Sequence, residues 1–267
     1  MNLDAYLARL GCGGPRRASL DVLAALQAAH VAAIPFENID IRLGRPISLD
    51  LPALEAKLVR DRRGGYCFEQ NSLFAAVLES LGFSVATLEA RVRPPGATAI
   101  LPRTHMVLRV ALGGRDLLVD VGFGGDGPTG PVPLDGSETR TTAGAYRVAH
   151  DGALTVLQRR DGDSWLDLYA FRPELALPID FEVANYYTST HPRSRFVTTL
   201  TVQISKPEER RVLRGRTYTI TRGEESETRE LDAGEIPALL HEGFGLDLPE
   251  ADVLRAAGDA PPSSRPG

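Results

Sequence analysis

Up to Gly82 the apolar positions of the chain recur at intervals of three and four residues, and beyond it they alternate. The first pattern predicts helices over residues 2–10, from Ser19 to about Ala33, from Pro52 onward and from Cys67 to about Leu81. Ser19 can cap the second of these, with Asp21 in its first turn, and Pro52 suits the opening turn of the third. Gly82 is an ordinary helix stop. Ile34-Pro35-Phe36-Glu37-Asn38 interrupts the helices with an irregular stretch, in which Phe36 reads as a loop aromatic or as a core plug. His30, late in the second helix, is expected at the surface or as a C-terminal cap.

The alternating part predicts strands over residues 83–92, 104–110 and 115–121, with Gly113-Gly114 as a two-residue hairpin turn between the last two. If Leu112 pairs with Arg115, then Val107 faces Asp120 and His105 faces Gly122. His105, Val107, Leu118 and Asp120 then share one side of the sheet, with His105 and Asp120 as diagonal neighbours. A slip of one residue would part them. Further strands are expected over 142–150, 154–160 and 165–171, then near 196–204, 211–221 and 225–231. Residues 235–244 read as the final helix, with Leu239 and Leu240 inward, and the proline- and serine-rich tail 259–267 is expected to be disordered.

Composition narrows the class. With 267 residues, 43% hydrophobic and 24% charged, the chain fits one large domain or a few small packed ones. A formal net charge of −5 gives no sign of a nucleic-acid partner. The amino terminus has neither a basic region nor a long apolar run, and no stretch approaches a membrane span, so a cytoplasmic protein without a membrane partner is expected. Two cysteines and five scattered histidines do not suggest a disulfide scaffold or a metal site, and no metal is expected.

Chemistry enters at Arg62-Arg63-Gly64-Gly65-Tyr66-Cys67-Phe68-Glu69-Gln70-Asn71. Cys67, Asn71, Phe74, Leu78 and Leu81 share one helical face, and the glycine pair supplies the turn before them. That makes Cys67 a first-turn residue, where free N–H groups and the positive helix end favour a thiolate. Arg62 and Arg63 are near enough in sequence to reinforce it, in directions the sequence leaves open. Taken alone, Cys67 is equally at home as a small buried hydrophobe, His105 as a satisfied sheet histidine and Asp120 as a capping or ion-paired carboxylate. Together they are the parts of a thiolate nucleophile with its base and orienting acid. Backbone N–H groups of Cys67 or Phe68 are candidate oxyanion donors by position. Gly122-Phe123-Gly124-Gly125-Asp126-Gly127 reads as a tight turn or as part of an acyl-donor pocket. It lacks the lysine and hydroxyl of a nucleotide P-loop.

Four stretches in order resemble the arylamine N-acetyltransferases: Ile34 to Asn38, Arg63 to Asn71, Thr104-His105-Met106 and Leu118 to Gly124. The resemblance covers residues 1 to about 200 well and the rest loosely. It implies an α+β chain with a helical bundle (1–82), a β-barrel-like domain (83–180), a crossing helix near Val183 to Tyr187 and a carboxy-terminal α/β lid (181–258). It also implies a cysteine-protease-like triad of Cys67, His105 and Asp120, and transfer of acetyl from acetyl-CoA, a substrate and not a bound cofactor, to an arylamine or arylhydrazine. Thr104, Gly122, Phe123, Gly124 and Gly125 are then expected to contact the donor, and Phe36, Phe123 and Phe196 the acceptor. A monomer or homodimer is expected. Competing readings are a macrolactam-forming amide synthase with the same triad and a long acyl donor, a cysteine peptidase or transglutaminase-like enzyme, and a non-catalytic interaction module.

Overall fold

The helical spacing of the first third produces α1 (Leu3–Leu10), α2 (Leu20–Ala33), two short helices α3 (Ile39–Arg42) and α4 (Leu51–Leu54), and α5 (Cys67–Ser80). The computed structural model describes residues 1–14, 16–96 and 99–258, so the expected tail 259–267 lies outside the described residues. Ser19 caps α2 as the sequence suggests, accepting from Val22 N–H, and Asn2 caps α1, accepting from Ala5 N–H. Between α2 and α3 the chain makes a strand that local pattern does not announce, β1 (Phe36–Glu37), too short to show a period. The chain continues from α4 into a π-helical turn, Glu55–Arg60.

Beyond Gly82 the alternating residues form an eight-stranded antiparallel sheet. Its members in chain order are β2 (Ser84–Val92), β3 (His105–Leu112), β4 (Arg115–Val119), β5 (Val132–Pro133), β6 (Thr139–Thr141), β7 (Gly144–Asp151), β8 (Leu154–Asp161) and β9 (Ser164–Phe171), with spatial order β5-β4-β3-β2-β9-β8-β7-β6. The sheet curls until β5 meets β7, giving a nearly closed barrel. Its interior holds Leu88, Val107, Leu118, Tyr146, Leu157 and Tyr169. The opposite face of β3 and β4, through Met106, Leu108, Val110, Leu117 and Val119, packs with α5 in a second core. The expected hairpin register is observed, with Leu112 opposite Arg115 and Leu108 opposite Val119.

The chain then crosses through α6 (Pro178–Thr190) to α7 (Arg195–Thr198) and a five-stranded sheet of order β1-β10-β11-β12-β13. Its later strands are β10 (Thr201–Ser205), β11 (Arg210–Arg214), β12 (Thr217–Arg222) and β13 (Glu225–Glu230), followed by α8 (Ile236–Phe244) and α9 (Glu250–Ala257). Three expectations are corrected here. Phe196 lies in a helical turn and not in a strand, because the Ser194 hydroxyl caps its N–H at 3.3 Å. The strand expected over 211–221 is two strands, because Gly215 breaks it. A further helix, α9, follows the one read as last, burying Val253 and Ala256. Buried Arg42 joins distant segments: it donates to the carbonyls of Val197 (2.6 Å), Ala256 (2.9 Å) and Gly258.

His30 is also corrected. It is fully buried, not a surface or capping residue, because it completes a polar chain inside the bundle. Tyr6 Oη is 2.7 Å from its Nδ1, and Gln70 Oε1 is 3.1 Å from its Nε2. The neutral ring suits both, accepting from Tyr6 and donating to Gln70. Burial pushes His30 down to about 3, against the pull of Gln70. The unfolded chain therefore binds a proton near pH 6.5 that the folded chain refuses, and stability present above that pH is lost as pH falls towards the folded value. Between pH 7 and pH 5 the wild type is expected to lose about 2 kcal/mol more than His30→Gln in urea titrations. Equal losses would contradict a neutral buried His30.

Candidate active site

The turn that presents Cys67 is held from below by charge. Arg63 Nη2 lies 2.7 Å from Glu37 Oε1 and 3.4 Å from Asp40, while Lys57 Nζ lies 2.8 Å from Asp40 and 2.7 Å from Glu69. Glu69 also accepts from Tyr66 N–H at 3.0 Å, closing the first turn of α5. Burial makes Asp40 harder to ionise, but Lys57 and Arg63 outweigh it and hold the carboxyl at about 2. Gly64 is required by space: a Cβ there would sit 2.1 Å from the Pro35 carbonyl oxygen. Arg62, two residues before it, holds a left-handed φ of 53°. Arg63 thus points to Glu37 and Asp40. That settles for Arg63 a direction the sequence leaves open.

Cys67, His105 and Asp120 come together where the tip of α5 meets the barrel rim. All three are buried, with exposures of 3%, 3% and 1%. His105 Nε2 is 2.7 Å from Asp120 Oδ2, which leaves the other ring nitrogen for the neighbouring Cys67, whose side chain acts on the ring. The Cys67 thiol is also 3.6 Å from the Thr104 carbonyl oxygen. Burial alone would lower the imidazole, but the Asp120 charge and hydrogen bond, with Cys67, lift His105 to about 10. Burial likewise opposes ionisation of Asp120, and His105 with two further donors lowers it all the same. Those donors are Asn71 Nδ2 at 3.0 Å and Gly122 N at 2.8 Å, both to Oδ1.

Side chains outside the family-like pairings complete this arrangement. Asn71, one turn after Cys67, also donates to the Met106 carbonyl at 2.8 Å and accepts from Val121 N–H at 3.1 Å, tying α5 to β3 and to the loop after β4. Gln27 reaches from α2 to the carbonyls of Asp120 and Pro128 at 3.1 and 3.2 Å. Tyr169 packs its ring 4.9 Å from His105, with its hydroxyl beside Asp120 but without a completed hydrogen bond. Only Asn71 left a sequence signal, its place on the Cys67 face.

The expected wall residues separate into two groups. Phe36 and Phe196 are 5.7 Å apart and Phe196 is 5.9 Å from Tyr66, whereas Phe123 lies against His105 at 5.3 Å. Of the expected donor contacts, Thr104 and Gly122 border the sulfur's surroundings. A Cβ on Gly122 would fall 2.7 Å from Cys67 Cα, so only glycine lets the loop after Asp120 close on the helix tip. Gly124 and Gly125 lie instead against Gln203 of β10, whose Oε1 accepts from Gly125 N–H. A cavity of about 1290 Å³ lies between α5 and α6, lined by Ile47, Ser72, Met106, Phe181 and Asn185 but by neither Cys67 nor His105. Chemistry, not size, therefore marks the site.

Fold and site together define an α+β protein of the N-acetyltransferase class: the family model described as N-acetyltransferase matches residues 19–253. An arylamine N-acetyltransferase of Mycolicibacterium smegmatis is 44% identical over 255 residues, covering 93% of both chains. The structure of arylamine N-acetyltransferase from Mycobacterium tuberculosis superposes with a TM-score of 0.91 at 40% identity, covering 96% of this chain and 100% of that one. That of Mycobacterium marinum in complex with CoA gives 0.90 at 38%, covering 96% and 98%. The chain belongs to the arylamine N-acetyltransferase family. Among the described residues, no helix is long and apolar enough to cross a membrane.

Proposed function

We propose that this protein transfers an acetyl group from acetyl-CoA to the nitrogen of an arylamine or arylhydrazine, in the cytoplasm, through an acetyl-Cys67 intermediate. The observation that carries the reading is the buried imidazole of His105, held by Asp120 at 2.7 Å with its other nitrogen left for the neighbouring Cys67. The names of the relatives and the CoA complex of the Mycobacterium marinum protein support the substrate pair.

In the first half-reaction the Cys67 sulfur attacks the thioester carbonyl carbon. The new C–S bond forms as the bond to CoA sulfur breaks, and the leaving thiolate takes the proton that His105 holds. A charged imidazolium is the partner a thiolate needs. In the second half-reaction the amine nitrogen attacks the acetyl-cysteine carbonyl, Cys67 leaves as thiolate, and the amine proton passes to His105. The N–H groups of Cys67 and Phe68, at the open end of α5, are the candidate oxyanion donors. Burial of the sulfur protects the thioester from water.

Incubation with acetyl-CoA should add one acetyl group, mapped by mass spectrometry to Cys67 and not to Cys12, and discharged by an arylamine. No adduct with acetyl-CoA, but one with a long acyl thioester, would transfer the site to amide-synthase chemistry.

A further inference from the structure

The cavity between α5 and α6 has a cause in the sequence of both helices. Ser72, Ala75, Ala76 and Glu79 line it from one face of α5, at spacings of three and four residues. Ser72, Ala75 and Ala76 are too small to reach across to α6. That helix is held off by two props instead. Phe181 meets Phe68 with ring centres 6.2 Å apart. Asn185 accepts from the Tyr66 hydroxyl and donates to the Ile47 carbonyl at 3.0 Å. The space so kept is about 1290 Å³. A pocket for a small molecule commonly has about 300–1000 Å³.

The lining has two chemical zones. Met106 of β3 and Phe181 and Tyr186 of α6 give it apolar and aromatic surface. Its charge is acidic: Asp50, Glu79 and Glu182 line it with exposed side chains. Among the described residues none of these three carboxylates has an ion-pair partner. Arg45, the one basic side chain among the described lining residues, is held by Asp252 at 2.6 Å and Asp40 at 3.3 Å. A cleft with low-dielectric walls and one sign of unpaired charge concentrates ligands of the other sign. Aromatic faces add to the attraction for a cation.

We propose that this cavity is a second ligand site, separate from the Cys67 site, for a molecule with an extended aromatic body and a protonated or quaternary amine. The body lies between Met106 and Phe181, and the cation faces Glu79 of α5 and Glu182 of α6. A neutral molecule of the same shape gains only the apolar contact, and an anion is repelled.

The probes are (1-pyrenylmethyl)trimethylammonium, which has no N–H to acetylate, and neutral 1-pyrenemethanol, with pyrene fluorescence reporting Kd. The cation should bind the wild type about tenfold or more tightly than the alcohol, and high salt should narrow the ratio. Glu79→Gln with Glu182→Gln should bring the two Kd values together by weakening the cation alone. Ala76→Phe fills the cavity from α5 and should weaken both probes about tenfold or more. A melting curve shows that each variant is folded. If Ala76→Phe does not fold, the paired glutamine variant carries the test, because both of its changes are on exposed side chains. Equal binding of the two probes to the wild type, or no binding of either, would overturn the proposal. A charge preference that survives loss of both glutamates would overturn it as well, and so would unchanged binding to a folded Ala76→Phe protein, because each places the probe elsewhere.

Discussion

Replacing Cys67 with alanine is expected to reduce arylamine acetylation by about 10⁴-fold or more and to leave no acetylated protein. The size follows from the site having no second nucleophile at hand. Cys12 lies in the loop after α1, among glycines, and has no histidine partner among the described residues. Alanine at the first position of α5 keeps a strong helix former there and removes a single sulfur, so thermal unfolding should change little. Mass spectrometry after incubation with acetyl-CoA, with a melting curve as control, checks both halves. Substantial turnover in this variant would remove Cys67 from the mechanism.

Asp120→Asn is expected to lower kcat/KM about 10³–10⁴-fold while the protein remains folded. Asp120 Oδ1 accepts from Asn71 and Gly122, and Oδ2 accepts from His105. An asparagine satisfies the first two donors only by turning its carbonyl oxygen towards them. Its amide NH₂ then faces His105 Nε2, which must become an acceptor. The ring proton moves to the other nitrogen, which faces Cys67 and so no longer receives the thiol proton. The charged imidazole also loses the carboxylate that keeps it at about 10, so the remaining activity should shift in pH profile as well as in size. A variant with a wild-type rate and profile would contradict the orienting role.

The pairing of His105 with Asp120 could be read from the chain because the glycine-glycine turn fixes a local register, and register alone decides which side chains share a face. The placement of Cys67 followed from helical spacing for the same reason: nearby residues carry it. What local pattern hid is long-range. Gln27 meets Asp120 across 93 positions, and β1 pairs with β10 through two residues that have no period to detect. His30 was misread because an imidazole on an otherwise apolar helix looks alike at the surface and in the core until Tyr6 and Gln70 are brought to it. Phe196 was misread because a single Ser194 cap outweighed an apolar run.

Arg42 gives the two chain ends an unequal tolerance for editing. Its guanidinium is a clasp from the early helices onto the last turn of the chain described, with Val197 as a third hold. Shortening the protein past Ala256 would take carbonyl acceptors from a buried cation, a kind of damage that reaches the early helices from the far end of the fold.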